Sequence, residues 1–448
     1  MSKSAKRSYR GANIRPPSAY KPTERLTPRL VEAMGEMILD YHRLFHSCFQ
    51  RREQYYWSRF YLCGQLSNLE RKTIEPMVLA LLGDDPNQVR GLQQFIGAGT
   101  WPANKIVHRV QDLVAETLGD PDGVVIVDGS GFPKQGIHSA GVARQYCGAL
   151  GKVANCQEGT FLIYATPQGH AYLDGRLYLP EEWFEAEARN RWAQCGIPDE
   201  ISFQTEPELA LAMLQDLVKR AVVPFRWVTA DEYFGRNPAF LDGVAALDKW
   251  YLAEIPCNTR IWLRTPQVEL PPRHRHTAKP PRLRVVLTTP RAQEVQTVAT
   301  RLPAHRWTRY VIKEGSKGPM VAEFAFLRVT TVRDRLPGPR VWLVLRRGLA
   351  EDSGLKFYLS NAPTACAPRI LAQLSGWRWP VETTLEEGKS EIGLDQYEVR
   401  SWDGWYHHMA QSFMTHLALV RLQHHFKKNA SPDDCPSPPL GRQCVARR

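Results

Sequence analysis

The chain of 448 residues has no run of about 18 apolar residues and no secretory leader pattern, so it reads as a soluble, cytoplasmic protein. Its nine cysteines are odd in number and include no C-x2-C pair, which speaks against a disulfide framework and a cysteine-based structural zinc site. Cys147 and Cys156 read as packed thiols. No internal repeat is present. Gly148-Ala149-Leu150-Gly151-Lys152 lacks the spacing of a phosphate-binding loop, so nucleotide hydrolysis is not implied. His170, His407 and His408 show no ligand spacing and read as surface or capping histidines.

What is present is an apolar content of 43%, enough for a large core and two or three domains, and a net charge of +12 that is unevenly spread. Residues 1–30 carry eight Lys or Arg against the single acid Glu24, and Pro16, Pro17, Pro22 and Pro28 interrupt any helix there. That composition predicts a flexible basic arm. From Arg260 to Tyr310 eleven Lys or Arg face only Glu269 and Glu294, with Arg273, Arg275, Lys279, Arg282 and Arg284 clustered in a proline-rich loop. Clustering of this kind suits a phosphate backbone, against the alternative of a merely solubilising surface.

Periodicity divides the rest. Residues 31–118 read as a helical N-terminal domain, with Tyr41, Leu44, Phe45 and Cys48, then Val107, Val110, Leu113 and Val114, as apolar stripes. It carries Arg51, Arg52, Tyr55, Tyr56, Trp57 and Arg59, basic and aromatic residues that suit either DNA or a core. Residues 119–254 alternate strand-like segments (Gly159 to Thr166, Val222 to Ala230) with helix-like ones (Glu206 to Arg220), the sign of an α/β core, which resumes over 363–426. Between them, 255–362 lose the helical pattern and read as a β-rich insertion, with strands near Leu283–Leu287, Thr308–Ile312, Val321–Phe326 and Val341–Leu345. The final residues, 427–448, read as a disordered tail.

Three acids stand out. Val124-Val125-Ile126-Val127 is a buried-strand pattern that predicts an end at Asp128, and Arg226-Trp227-Val228-Thr229-Ala230 predicts the same for Asp231. Either Asp alone could be a turn former or a helix cap. The third is Glu382, in Trp377-Arg378-Trp379-Pro380-Val381-Glu382-Thr383-Thr384-Leu385-Glu386-Glu387-Gly388-Lys389. On a helix, Lys389 lies about 20° and Arg378 about 40° from the azimuth of Glu382, on one side. Pro380 belongs in the first turn, which leaves Arg378 at the helix start. Charges so spaced are compatible with a solvated face, or with a carboxylate held beside phosphate by two cations.

The order Asp128, Asp231, Glu382, with Arg378-x3-Glu382-x6-Lys389, resembles the DDE transposases of bacterial insertion sequences, in the branch with a β-rich insertion before the catalytic Glu. Asp128-Gly129-Ser130-Gly131-Phe132-Pro133-Lys134, Gly151-Lys152-Val153-Ala154-Asn155-Cys156-Gln157 and Tyr397-Glu398-Val399-Arg400-Ser401-Trp402 share the resemblance. Two positions depart from the family pattern: Ser375 stands where a Tyr is common, and Gly129 where an acid follows the first Asp. The resemblance implies an α/β, ribonuclease H-like catalytic core and a DNA-binding N-terminal domain. It further implies that Asp128, Asp231 and Glu382 hold two Mg²⁺ ions, with Mn²⁺ as a substitute, while Arg378, Lys389, Arg273, Arg275, Arg282 and Arg284 contact DNA. A homodimer on transposon ends and target, close to the nucleoid, is the implied working form. A catalytically silent DNA-binding relative and a nuclease without strand transfer are the competing readings.

Overall fold

The computed structural model describes residues 27–271, 281–315, 318–349 and 354–429. Nearly all of the expected basic arm, the loop residues Arg273, Arg275 and Lys279, and the tail from 430 lie outside the described residues.

The chain begins with helices α1 (Pro28–Arg43), α2 (Arg52–Leu66), α3 (Ile74–Leu82), α4 (Pro86–Gly97) and α5 (Ala103–Leu118). Thr27 opens α1 as its N-cap, accepting from the Leu30 amide at 3.2 Å, with Pro28 in the first turn where its missing N–H costs nothing. Of the expected stripes, Tyr41, Phe45, Cys48, Val110, Leu113 and Val114 are buried, whereas Leu44 is exposed and Val107 only partly covered.

Strands β1 (Val124–Pro133), β2 (Ala143–Cys147), β3 (Lys152–Thr166) and β4 (Gly169–Tyr178) follow, then helices α6 (Arg189–Cys195) and α7 (Glu206–Arg220). Next come β5 (Trp227–Ala230), α8 (Glu232–Gly235), α9 (Pro238–Ala246), β6 (Trp250–Glu254), β7 (Arg260–Trp262), β8 (Val268–Glu269), β9 (Arg284–Val285) and β10 (Gln293–Glu294). The remaining elements are α10 (Val295–Thr300), β11 (Thr308–Gly315), β12 (Gly318–Arg333), β13 (Leu336–Arg347), β14 (Leu355–Ser360), α11 (Pro368–Leu374), α12 (Trp379–Ile392) and α13 (Trp402–Asn429).

One mixed sheet runs through most of these strands, in the order β10-β7-β12-β13-β14-β6-β5-β1-β3-β2, with β4 paired to β3 and β11 to β12. At its centre β6, β5 and β1 are parallel, while β3 runs antiparallel to both β1 and β4. Strands β12 to β14, from the stretch read as an insertion, continue this sheet by pairing β14 with β6. Helix α13 packs between β4 and the N-terminal helices, and its inner face is almost fully buried.

Several expectations are corrected. β1 does not stop at Asp128, because its antiparallel ladder with β3 carries it on to Pro133. β5 begins at Trp227, not at Val222, since Arg220 ends α7 and the chain must turn before the ladder with β1 starts. Around Leu283–Leu287 only Arg284–Val285 is strand, and Leu287 is exposed: the apolar run belongs to a two-stranded ribbon with no core beneath it. The stretch read as free of helix contains α10, whose Val295, Val298 and Ala299 are buried at the i, i+3, i+4 spacing but over too few residues to register as a period. α13 also extends to Asn429, past the expected start of the tail.

Candidate active site

The parallel ladders set the site. Val127 pairs with Ala230, and Ala230 with Ala253, and these are the last rungs on both sides of β5. The next residues on the three strands are Asp128, Asp231 and Glu254, so one row of backbone delivers three acids to the same end of the sheet. Ligand chemistry collects at this end of a parallel sheet because the parallel ladders stop there and leave space, although β1 itself runs on beside β3. Glu254 was not singled out from sequence, although its position at the end of Trp250–Glu254 satisfies the criterion that found the other two.

Asp231 is also the N-cap of α8, its Oδ1 accepting from the amides of Tyr233 at 2.9 Å and Phe234 at 3.2 Å. The capping and site readings therefore coexist, with the carboxylate held in one orientation. Glu382 lies in the first turn of α12, behind Arg378 as N-cap and with Pro380 in the first turn as expected. α12 is pinned by buried Pro380, Val381 and Thr384, and by the Tyr172 hydroxyl of β4, which donates to the Thr384 carbonyl at 2.8 Å.

Asp128, Asp231, Glu382 and Lys389 line one cleft of about 1000 Å³, together with Glu158, Glu206 and Tyr233. Burial pushes the Asp128 carboxyl up to about 7, aided by Asp231 and Glu382 and opposed by Arg378 and the Gly129 amide. Glu158 is pushed up to about 8, by burial first and then by Glu206, and burial also raises Glu206. The cleft thus disfavours ionisation of Asp128, Glu158 and Glu206 and favours a compensating positive charge.

Arg378 supplies part of that charge, its Nη2 lying 3.6 Å from Asp128 and its Nη1 4.0 Å from Glu254. Burial works against its charge, but Asp128, Asp231, Glu254 and Glu382 outweigh it and raise its pKa. Glu254 is further held by Lys356 Nζ at 3.0 Å and is not on the cleft wall, so it serves as an ion-pair partner. Lys389 donates to the Gly131 carbonyl at 3.4 Å, which ties α12 to β1 across the cleft.

Other site residues were not legible. Lys313 of β11 sits 4.7 Å from the Trp379 ring, and its pKa is lowered by burial, against an opposing pull from Glu382. Ser375, where the family pattern has Tyr, turns its hydroxyl to the Ala372 carbonyl, while Arg346 of β13 donates to the Ser375 carbonyl at 3.3 Å. Both cations come from strands far away in sequence, so no local motif announces them. Arg284 is paired with Glu269 at 2.8 Å within the β8–β9 ribbon, and neither it nor exposed Arg282 lines the cleft. His407 and His408 are buried, not surface residues: His407 lies between the carbonyls of Ile96 and Trp101, and His408 bonds Tyr61 and the Leu394 carbonyl.

The donor set fits a hard divalent cation. Carboxylates of Asp128, Asp231 and Glu382, from separate elements, line the cleft, although their oxygens do not all lie within 4.8 Å of one another, and burial raises the Asp128 carboxyl, whose charge a bound cation would favour. The thiols Cys147 and Cys156 are buried, as expected of packed cysteines.

Residues 44–319 match the family of DDE superfamily endonucleases, a span that contains Asp128 and Asp231 and ends before α12. A protein of Microchaete diplosiphon described as a probable transposase for insertion sequence element IS701 is 24% identical over 375 residues, which cover 83% of this chain and 84% of that protein. The resemblance to insertion-sequence transposases is borne out by both comparisons, and enzymes of this superfamily are metal-dependent nucleases that act on DNA. With its matched span covering more than half of its length, the chain belongs to the DDE superfamily endonucleases.

Proposed function

We propose that the chain is an insertion-sequence transposase that cleaves DNA at the element's ends and joins the exposed 3′ ends to target DNA. The observation that carries this reading is the convergence of Asp128, Asp231 and Glu382 on one cleft, with Arg378 against Asp128 and Lys389 on the wall. β4-β3-β1-β5-β6 then form the ribonuclease H-like core, α1 to α5 an N-terminal DNA-binding layer, and β7 to β14 the insertion.

Asp128, Asp231 and Glu382 would hold two Mg²⁺ ions, or Mn²⁺ in their place, which when bound activate the attacking water or 3′-hydroxyl and stabilise the leaving oxygen. The chain's own residues do the positioning. Asp231 is locked by its capping bonds, and Glu382 by the packing of α12. Arg378 offsets the carboxylate repulsion, and Lys389 reaches toward a phosphate near the scissile bond. Arg273, Arg275, Arg282 and Arg284 contact flanking DNA, and a homodimer near the nucleoid holds two ends together.

A gel assay with a pre-cut transposon end, target DNA and Mg²⁺ tests the proposal. Joined product is expected from the native chain and none from Asp128→Asn, Asp231→Asn or Glu382→Gln, all three still binding DNA. Cleavage without joining would make the protein a nuclease, and binding without cleavage a silent relative. Native-like cleavage by any one variant would remove that residue from the site.

A further inference from the structure

We propose that His170, Glu387 and His416 form a second metal site, distinct from the carboxylate cleft and suited to a zinc-class transition ion. The three residues come from β4, α12 and α13, and one ligand atom from each lies within 4.8 Å of the others. His416 Nε2 is 3.2 Å from Glu387 Oε2, with the His416 side chain 2% exposed and that of Glu387 36% exposed. An ion here has a buried anchor and a solvent path.

The second layer is also in place. Thr384 Oγ1, which donates to the Pro380 carbonyl at 2.6 Å, also hydrogen-bonds His170 Nδ1 at 2.7 Å. That bond orients the His170 ring, and an oriented imidazole of this kind is how metal-bound histidines are held. Buried His416 Nδ1 has no hydrogen-bond partner among the described residues, whereas each ring nitrogen of His407 and His408 faces a polar group. Two imidazoles and one carboxylate, with a fourth position open to water, select Zn²⁺, Co²⁺ or Ni²⁺ over Mg²⁺. Bond lengths of about 2.0–2.2 Å need the donors to close by roughly 1 Å, within reach of side-chain rotation. The site would clamp α12, which bears Glu382, to α13 and β4.

The test is a Co²⁺ titration of the full-length protein in excess Mg²⁺, which occupies the carboxylate cleft. One equivalent should bind with the visible absorption of four-coordinate cobalt and without a thiolate charge-transfer band. Glu387→Gln and His170→Gln should each weaken binding by about tenfold or more. Glu387 is partly exposed, so Glu387→Gln leaves the fold intact, with circular dichroism as the check. Zn²⁺ should raise the melting temperature of the native chain and not of Glu387→Gln. Absence of the visible band, equal Co²⁺ affinity in Glu387→Gln, or a charge-transfer band placing the ion on Cys147, Cys156 and Glu158 would each overturn the assignment.

Discussion

Replacing Asp128 by Asn should make the metal-free protein more stable at neutral pH while abolishing its chemistry. The carboxyl moves from 3.8 to about 7 on folding, chiefly through burial. A difference of this size corresponds to about 4 kcal/mol between the protonated and ionised forms. The sign follows from proton binding: between pH 3.8 and about 7 the folded chain keeps a proton that the unfolded chain releases, so stability falls as pH rises through this window. Below it the penalty is absent; above it the penalty is complete and constant. Asn never ionises, so the advantage of Asp128→Asn should be small at pH 4 and level off above pH 7 at about 2–4 kcal/mol. Urea unfolding in EDTA, followed by tryptophan fluorescence across pH 4–8, measures it. Adding Mg²⁺ should narrow or reverse the order, because the ion binds the folded native chain and not a site lacking a ligand. A stability difference that is independent of pH, or a variant less stable throughout, would refute the argument that Asp128 is a buried carboxyl awaiting a cation.

Three further outcomes are expected. Lys389→Ala should reduce cleavage and complex stability at normal Mg²⁺, and extra Mg²⁺ should not rescue it, since at roughly 1.5 Å per residue it stands about 10 Å from Glu382; Lys389→Arg should retain part of the activity, and native rates for Lys389→Ala at subsaturating DNA would end this role. In Gly388→Ala the new methyl would run into the hydroxyl of buried Tyr172, so the variant should lose about 1–3 kcal/mol in chemical denaturation and shift Glu382; an unchanged midpoint would show that α12 yields freely. Removing residues 1–30, or neutralising Arg273, Arg275, Arg282 and Arg284 together, should flatten the salt dependence of end binding by about 0.9 in log K against log salt per lost phosphate contact; unchanged slopes in both would take these regions off the DNA.

Asp128, Asp231 and Glu382 stand out in the sequence because an apolar run that meets an acid, and charges at helix spacing, leave local traces. An apolar run that stops at Asp128 or Asp231 reads the same in sequence whether or not the ladder continues, and so the extension of β1 to Pro133 was invisible: it depends on β3, more than twenty residues later. Glu254 was overlooked because a lone acid closing a short strand carries no motif; only the shared register with Asp128 and Asp231 gives it meaning. Lys313, Arg346 and the His170–Glu387–His416 group arise wholly from tertiary contacts, and no spacing rule reaches across such separations. The α/β character and the helical start followed from periodicity, but a strand of two residues or a helix of six is shorter than any window that could reveal it.

Helix α13 meets the N-terminal helices through a buried polar seam. Ser58 bonds Gln411, Tyr61 bonds His408, Gln65 bonds both Ser412 and Thr415, and the Tyr41 hydroxyl donates to the Met414 carbonyl. Such groups are satisfied only by their own partners, and separating them strands several polar atoms in an apolar setting. The helical layer is therefore not a cassette that can be exchanged between relatives on its own. Any chimera has to carry α13 along with α1 to α5, joining the two ends of the chain as one inherited unit.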